Sequence, residues 1–257
     1  IDYYSVFSGG IDSSLVSYFM QKVNPPRGFI SLQFPGKDTT NLDLEGFEKR
    51  LGRVINTLSV DKDIFSASFK ECYLATCGPL STHSFVSQAI MSKYVRNDNV
   101  KIMIGGDGAD ELFGGYESYK NLNPNSIDFP EINPSFYSGY IESDIIFDGW
   151  ESNSLKNRIN KKWIDFSKAY SFEYDLNDRI IQSMLYSDTV IQLESVGIRA
   201  ADTMSMVNSV ESRSFFLSYE MIQFALNLPA SCKVNFKSSN QLMKTKPILK
   251  HLFNKCF

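Results

Sequence analysis

The stretch of the sequence that decides the fold is Ser8-Gly9-Gly10-Ile11-Asp12-Ser13-Ser14. A mostly apolar run, residues 1–7, precedes it and an apolar-periodic segment, residues 15–20, follows it, which predicts a strand, a glycine turn and the start of a helix. Glycines let the backbone approach an anion closely, serine hydroxyls add donors, and the helix start contributes free N–H groups and the positive end of its dipole. The turn is therefore predicted to bind a phosphate group. Its candidate binding residues are Ser8, Gly9, Gly10, Asp12, Ser13 and Ser14.

Asp12 separates this turn from the most common phosphate-binding loop. That loop requires the pattern GxxxxGK followed by Ser or Thr, and no lysine occurs in the turn here. A carboxylate beside a phosphate repels it unless a divalent cation lies between the two, so we predict that Asp12 is a magnesium ligand. The alternative interpretation is a Gly-Gly turn followed by a serine-rich helix cap, with no ligand.

The composition describes a globular chain of one or two domains. The 257 residues are 43% hydrophobic and carry a formal net charge of -3 without a basic stripe, which argues against a nucleic-acid partner. The sequence contains neither an apolar run of membrane-spanning length nor a signal-peptide pattern, so we expect no membrane partner and a cytoplasmic location. Because the cysteines form no CxxC pair and the histidines lie far apart, we expect no zinc or iron–sulfur site.

Strands and helices alternate after the first turn. Residues 28–34 and 100–104 are predicted strands, residues 42–58 and 84–94 are predicted helices, and a short strand is predicted at Ile64-Phe65 before another helix. This order predicts an α/β fold in which a parallel sheet is flanked by helices. In such folds the ligand-binding crevice lies at the carboxyl ends of the strands, where the glycine turn is located.

A second glycine-rich segment follows the strand ending at residue 104 and reads Gly105-Gly106-Asp107-Gly108-Ala109-Asp110-Glu111-Leu112-Phe113-Gly114-Gly115-Tyr116. Acids among small residues at the carboxyl end of a strand place carboxylates at the same crevice, so Asp110 is predicted to share a cation with Asp12. Gly105 and Gly106 are candidate binding residues. The alternative is a solvated surface cluster of acids.

The first turn resembles the SGGxDSS signature of PP-loop ATP pyrophosphatases. The second segment resembles GxGxDExFGGY, and the two together make the chain similar to the asparagine synthase family. The resemblance implies a PP-loop ATP pyrophosphatase fold, similar to the adenine nucleotide alpha hydrolases, with an added carboxyl-terminal helical layer. It also implies one synthetase domain, in which residues 1–120 form the nucleotide-binding α/β core and residues 121–257 a mostly helical part.

The resemblance also implies roles for individual residues. It implies that Asp12 and Asp110 hold magnesium on the pyrophosphate of ATP and that Asp107 lies near the reacting substrate. Members of the family carry glutamate or tyrosine at the position of Asp107, so the resemblance does not fix the acceptor. Lys37 and Asp38 lie on the rim that receives adenosine in PP-loop enzymes, and solvated turn residues are the alternative interpretation.

Two looser patterns continue the resemblance. Residues 199–229 keep the family's spacing of four charged residues, Arg199, Asp202, Glu211 and Arg213. These either form structural ion pairs in a helical layer or leave a guanidinium to contact a phosphate or a substrate carboxylate.

Lys246-Pro247-Ile248-Leu249-Lys250 resembles the KxxLR motif, and Lys246 is assigned with Asp107 as a catalytic residue. In the family a basic loop, RxKxGF, follows this motif. Residues 1–257 do not contain it, and we expect either that it follows in a longer protein or that catalysis is impaired.

The resemblance implies ATP-dependent amide formation. A substrate carboxylate, in a small molecule or a peptide, attacks ATP to form an acyl-adenylate, which ammonia or an amine captures with release of AMP and pyrophosphate. The implied cofactors are ATP and Mg²⁺. The implied ammonia source is a glutaminase domain or subunit, which has no counterpart within these residues. An intramolecular amide or lactam cyclase of the same family and a catalytically impaired nucleotide-binding subunit are the alternatives.

Overall fold

The computed structural model describes residues 1–35, 43–121 and 175–257 together with Asp165 and Lys168. The chain divides into two compact units. The first comprises Ile1–Ala109, Gln192–Phe224 and Leu249–Phe257, and the second comprises Asp110–Ile191 and Ala225–Ile248. Within the described ranges, no helix combines the length and the apolar character that crossing a bilayer requires.

A five-stranded sheet forms the centre of the first unit. Its strands are β1 (Tyr4–Val6), β2 (Gly28–Gln33), β3 (Ile55–Ser59), β4 (Ile102–Gly105) and β5 (Glu211–Ser214). The strand order is β3-β2-β1-β4-β5, and each neighbouring pair is parallel. The predicted α/β fold with a parallel sheet flanked by helices is confirmed. Because the order reverses between β1 and β4, the loops that follow these two strands lie at the position where such sheets bind ligands.

The helices of the described ranges follow the strands in alternation through the first half of the chain. They are α1 (Ile11–Val23), α2 (Leu44–Leu51), α3 (Lys62–Thr76), α4 (Ser84–Asn97), α5 (Ala109–Phe113), α6 (Leu176–Ser187), α7 (Arg199–Val207), α8 (Tyr219–Asn227), α9 (Ala230–Lys233) and α10 (Pro247–Cys256). A π-helix spans Asp188–Ile198, and short 3-10 helices span Glu117–Asn121, Phe215–Leu217 and Gln241–Met243.

Both faces of the sheet are covered. Phe29 and Ile30 are neighbours in β2, and both are fully buried. Successive side chains of a strand point to opposite faces, and Phe29 accordingly packs with Phe7 and Ile55 whereas Ile30 packs with Met103. A strand that is buried on both faces needs consecutive apolar residues, which explains why its sequence does not alternate.

The helix predicted over residues 42–58 is wrong in its second half. In the structure α2 ends at Leu51, because Gly52 takes a left-handed φ of 69° and closes the last turn through its N–H. Residues 55–59 form β3 instead. Their apolar spacing fits a strand as well as it fits a helix, so a prediction from periodicity alone makes the helix too long.

The short strand predicted at Ile64-Phe65 is also wrong, since both residues lie inside α3. Asp61 begins this helix by accepting a 2.8 Å hydrogen bond from the Ile64 N–H. Lys37 and Asp38, the predicted rim residues, lie outside the described residues.

A separate apolar cluster forms the core of the second unit. It contains Tyr119, Ile180, Ile181, Met184, Leu185, Ala230 and Val234. An antiparallel bridge joins Val234 to Thr245, and the Lys246 N–H donates a 2.9 Å hydrogen bond to the Lys233 carbonyl. This pairing fixes the backbone of the segment that carries the predicted catalytic lysine.

Candidate active site

Serine hydroxyls hold the turn after β1 in a compact shape. The Ser8 and Ser13 hydroxyl oxygens are 2.9 Å apart, and Ser13 Oγ also accepts a 3.1 Å hydrogen bond from the Ser8 N–H. Ser8 Oγ accepts a 3.3 Å hydrogen bond from the Gly10 N–H. Gly9 takes a left-handed φ of 76°, which favours glycine. The turn therefore owes its shape to the serines and to one glycine.

Helix α1 begins directly in this turn. Gly10 is its N-cap, and among the described residues no side chain caps this end. The Ser14 hydroxyl is fully buried, and its oxygen has no hydrogen-bond partner in the described part of the chain. A glycine N-cap and a buried polar oxygen at a helix start are the features that an anion with oxygen atoms can satisfy.

The turn after β4 meets the turn after β1. A Cβ atom placed on Gly106 would lie 3.3 Å from Asp12 Cβ and 3.3 Å from Ser13 N. Any side chain at position 106 would therefore press on the first turn of α1. The sequence predicted that these two glycine-rich segments face one crevice, and the structure brings Gly106 to Asp12 and Ser13 within the first unit.

The backbone around Asp107 is held by β5 and the residues after it. The Ser214 hydroxyl donates a hydrogen bond to the Asp107 carbonyl. Gly108 takes a left-handed φ of 86°, and a Cβ atom there would overlap the Leu217 side chain. Asp107 is half-buried, and its Oδ2 atom would lie 3.0 Å from a Cβ atom on Gly105. Two different side chains thus fix the loop that carries Asp107.

In the second unit, Lys246 forms an ion pair with Asp110. Lys246 Nζ lies 2.7 Å from Asp110 Oδ1, and 6% of the lysine side chain is exposed against 43% of the aspartate. Lys246 has a left-handed φ of 48°. A Cβ atom on Gly115 would overlap both Asp110 Oδ1 and Lys246 Cε. Gly115, the second glycine of the FGGY sequence, therefore provides the space that this ion pair occupies.

A group that the sequence did not single out lies next to Asp110. Glu111 is 5% exposed and accepts a hydrogen bond from the Tyr116 hydroxyl. Burial raises the pKa of Glu111 from 4.5 to about 7, although the Tyr116 hydrogen bond acts in the opposite direction. Tyr119 donates a 2.6 Å hydrogen bond to the buried Asp188 in the same unit. The sequence motif does not distinguish Glu111 from the neighbouring acids, because a motif does not show which side chain is buried.

Two of the four charged residues of the looser pattern form an ion pair on a strand rather than in a helical layer. Glu211 and Arg213 lie on β5, where residues two apart point to the same side, and Arg213 Nε donates to Glu211 Oε1 at 2.8 Å. More than half of each side chain is exposed. Arg199 and Asp202 lie on the exposed surface of α7. Of the two interpretations, ion pairing is observed for Glu211 with Arg213, on a strand.

The predicted magnesium ligands are carboxylates, and carboxylate oxygens are ligands that this ion prefers. Within the described ranges, no three side chains of His, Cys, Asp or Glu group together as a metal cluster. Magnesium keeps several waters and is commonly held by one or two carboxylates together with substrate phosphates. Asp12 in the first unit and Asp110 in the second each offer a carboxylate, which is a ligand type that magnesium accepts.

The fold and these turns define an α/β protein with a candidate anion site at the carboxyl edge of a parallel sheet. A family model described as asparagine synthase matches residues 2–256, and the chain belongs to this family.

Several curated proteins are similar to the chain at low identity. It is 24% identical over 258 residues to "Putative asparagine synthetase (glutamine-hydrolyzing)" of Mycobacterium tuberculosis (strain H37Rv), covering 88% of this chain and 39% of that protein. It is 24% identical over 239 residues to glutamine-hydrolyzing asparagine synthetase 2 of Bacillus subtilis, covering 86% of this chain and 30% of that protein. It is 21% identical over 258 residues to "Amidase chry2" of Gibberella zeae, covering 78% of this chain and 36% of that protein. The chain thus spans well under half the length of these relatives.

Proposed function

We propose that this chain is an ATP-dependent carbon–nitrogen ligase that forms an amide bond through an acyl-adenylate. The family match and the relatives named as asparagine synthetases support ATP-dependent amidation as the class of reaction. In this proposal residues 1–257 act as one synthetase domain, with residues 1–120 as the nucleotide-binding core and residues 121–257 as a mostly helical part.

The observation that carries the proposal is the contact between the two glycine-rich turns. Gly106 lies against Asp12 and Ser13, so the predicted pyrophosphate turn and the acidic turn border the same edge of the sheet. A reaction between ATP and a carboxylate requires the nucleotide and the acceptor to be bound next to each other. Two adjacent turns, one rich in hydroxyls and N–H groups and the other acidic, supply such neighbouring binding surfaces.

The pyrophosphate of ATP is bound by the first turn. Backbone N–H groups at the start of α1 and the serine hydroxyls donate to its oxygens, and Gly106 lets the second turn lie against the first. The binding residues in this proposal are Ser8, Gly9, Gly10, Asp12, Ser13, Ser14, Gly105 and Gly106. Asp12 and Asp110 are the residues that would hold Mg²⁺, and the ion when bound neutralises the charge that builds up on pyrophosphate.

Asp107 and Lys246 are the proposed catalytic residues. A carboxylate oxygen of the acceptor attacks the α-phosphorus of ATP, the bond to the pyrophosphate oxygen breaks, and an acyl-adenylate forms. Ammonia or an amine then attacks the acyl carbon, the bond to AMP breaks, and the nitrogen loses a proton to a base. In this proposal Asp107, at the acidic turn, is that base. Lys246 supplies a positive charge beside Asp110.

The ammonia source and the acceptor are separate parts of the proposal. Two relatives carry glutamine hydrolysis in their names, which supports a glutaminase domain or subunit as the partner that supplies ammonia. The acceptor is a carboxylate of a small molecule or a peptide. A cytoplasmic location, where ATP is available, is part of the same proposal.

The test uses ammonium chloride in place of the partner. The chain is incubated with ATP, MgCl2, ammonium chloride and a panel of carboxylates that begins with L-aspartate, and AMP and pyrophosphate are measured. Equimolar AMP and pyrophosphate that depend on one carboxylate support the proposal. ATP binding by calorimetry without AMP release for any carboxylate, with or without a glutaminase subunit, would instead identify a nucleotide-binding subunit. Release of ADP and phosphate would overturn the assignment as an AMP-forming ligase.

A further inference from the structure

We propose that Ser214 is a positioning residue for Asp107 and thereby for the acceptor side of the site. The role rests on the proposed function, because it matters only if Asp107 faces the reacting carboxylate. Neither the glycine-rich motifs nor the basic motif includes Ser214. Ser214 is identified from the structure alone, in which it is the last residue of β5.

The hydrogen-bond pattern of the sheet explains why a hydroxyl is needed at this position. The pairing of β4 with β5 ends where Gly105 lies opposite Ser214. The Asp107 carbonyl lies two residues beyond that point, where β5 has ended and the next residues form a 3-10 turn. The Ser214 hydroxyl donates to this carbonyl and so continues the connection between the two segments by one side-chain hydrogen bond.

A second contact from the same segment fixes the next residue of the acidic turn. Gly108 has a left-handed φ of 86°, and the Leu217 side chain fills the space where a Cβ atom would lie. Ser214 and Leu217 are three residues apart and hold two successive residues, Asp107 and Gly108. The segment 214–217 therefore fixes the backbone that follows the Asp107 Cα, from the Asp107 carbonyl to Gly108.

The orientation of the Asp107 carboxylate follows from this backbone. Its Oδ2 atom lies against Gly105, where a Cβ atom would be 3.0 Å away, so a shift of the carbonyl would move the carboxylate as well. A serine hydroxyl has a single proton to donate, and Ser214 donates it to Asp107. Loss of this hydrogen bond should therefore impair the use of the carboxylate acceptor more than the binding of ATP at the pyrophosphate turn.

The experiment compares Ser214→Ala with Ser214→Thr and Ser212→Ala. Ser212 is the matched control because it lies on β5, two residues earlier and on the same side, opposite Met103. Threonine keeps the hydroxyl and suits a strand. Two quantities are measured for each variant: hydrogen exchange of the peptide containing residues 105–109, and kcat and KM for L-aspartate, or for the carboxylate that the panel identifies, and for ATP.

Ser214→Ala is expected to speed exchange in residues 105–109 and to lower kcat/KM for the carboxylate, each by about three- to tenfold, the range of one net hydrogen bond. The KM for ATP should stay within about twofold, and Ser214→Thr and Ser212→Ala should match the wild type. Equal behaviour of Ser214→Ala and Ser212→Ala in exchange would overturn the inference. So would an equal loss of carboxylate and ATP binding. If the wild type shows no turnover, the proposed function fails, and the exchange rates alone decide whether Ser214 positions Asp107.

Discussion

Lys246 Nζ lies 2.7 Å from Asp110 Oδ1, and the lysine is almost fully buried while the aspartate is partly exposed. The residue proposed as a metal ligand is therefore also the partner of a buried ammonium group. Asp110→Ala should lower the free energy of unfolding by about 1–3 kcal/mol, since it removes a carboxylate from a buried cation but the pair is partly solvated. Urea unfolding followed by circular dichroism measures this change.

The control for this prediction is an exposed ion pair in the same chain. Lys93 Nζ lies 3.4 Å from Glu71 Oε1, and more than half of each side chain is exposed. Glu71→Ala should change the free energy of unfolding by less than about 0.5 kcal/mol. A loss for Asp110→Ala no larger than the loss for Glu71→Ala would show that the Lys246 ion pair does not stabilise the fold.

Gly115→Ala should be among the more damaging single-methyl additions in the chain. The new Cβ atom would overlap Asp110 Oδ1 and Lys246 Cε, so the ion pair has to separate or the backbone has to move. Overpacking of this kind costs about 1–3 kcal/mol. Gly78→Ala is the control, because the nearest atom to a Cβ there is 3.9 Å away. Thermal unfolding of both variants checks the prediction, and equal melting temperatures would contradict it.

The sheet could be predicted because its signals are local. Apolar runs before the turns at Ser8 and Gly105 predicted β1 and β4, and the glycine-rich turns predicted where the carboxyl edge lies. The boundary between α2 and β3 could not be predicted, because apolar residues around Ile55 fit either period. The left-handed conformation of Gly52 decides it, and that conformation depends on how the chain turns after α2.

The candidate site was predicted as a set of motifs rather than as a set of contacts. Asp12 and Gly106 belong to motifs and are brought together by the strand order, which the βαβ pattern implies. The ion pair of Asp110 with Lys246 joins residues 136 positions apart, and no local pattern indicates it. Ser214 lies at a position that the family pattern leaves open, so only the register of β4 and β5 reveals its hydrogen bond.

Glu111 should make the stability of the protein depend on pH. Its pKa is about 7 in the folded chain, chiefly through burial, and 4.5 is its ordinary value. The unfolded chain therefore loses this proton near pH 4.5, whereas the folded chain keeps it until about pH 7. The contribution of Glu111 is fully present below pH 4.5 and is lost as the pH rises through 7, with a total change of about 3 kcal/mol.

Comparison with Glu111→Gln isolates this effect from other titrating groups. The wild type should lose stability relative to Glu111→Gln between pH 4.5 and pH 8, as measured by urea unfolding at each pH. Glu117→Gln is the control, because 76% of the Glu117 side chain is exposed. A constant difference between wild type and Glu111→Gln over this range would show that Glu111 ionises in the folded chain at its ordinary pKa.

Asp12→Ala should abolish magnesium-dependent release of AMP while the chain stays folded. Asp12 is the second residue of α1, and its loss removes both the proposed metal ligand and a favourable charge at a helix start, which is worth about 0.3–1 kcal/mol. Asp63→Ala separates the two effects, because Asp63 is the second residue of α3. Both variants should lose a similar small amount of stability in urea unfolding, but only Asp12→Ala should lose the tighter binding of ATP that Mg²⁺ confers, as measured by calorimetry with and without MgCl2. If Asp12→Ala keeps that magnesium dependence, the carboxylate serves the helix start alone, and the cation that accompanies ATP is held by other residues.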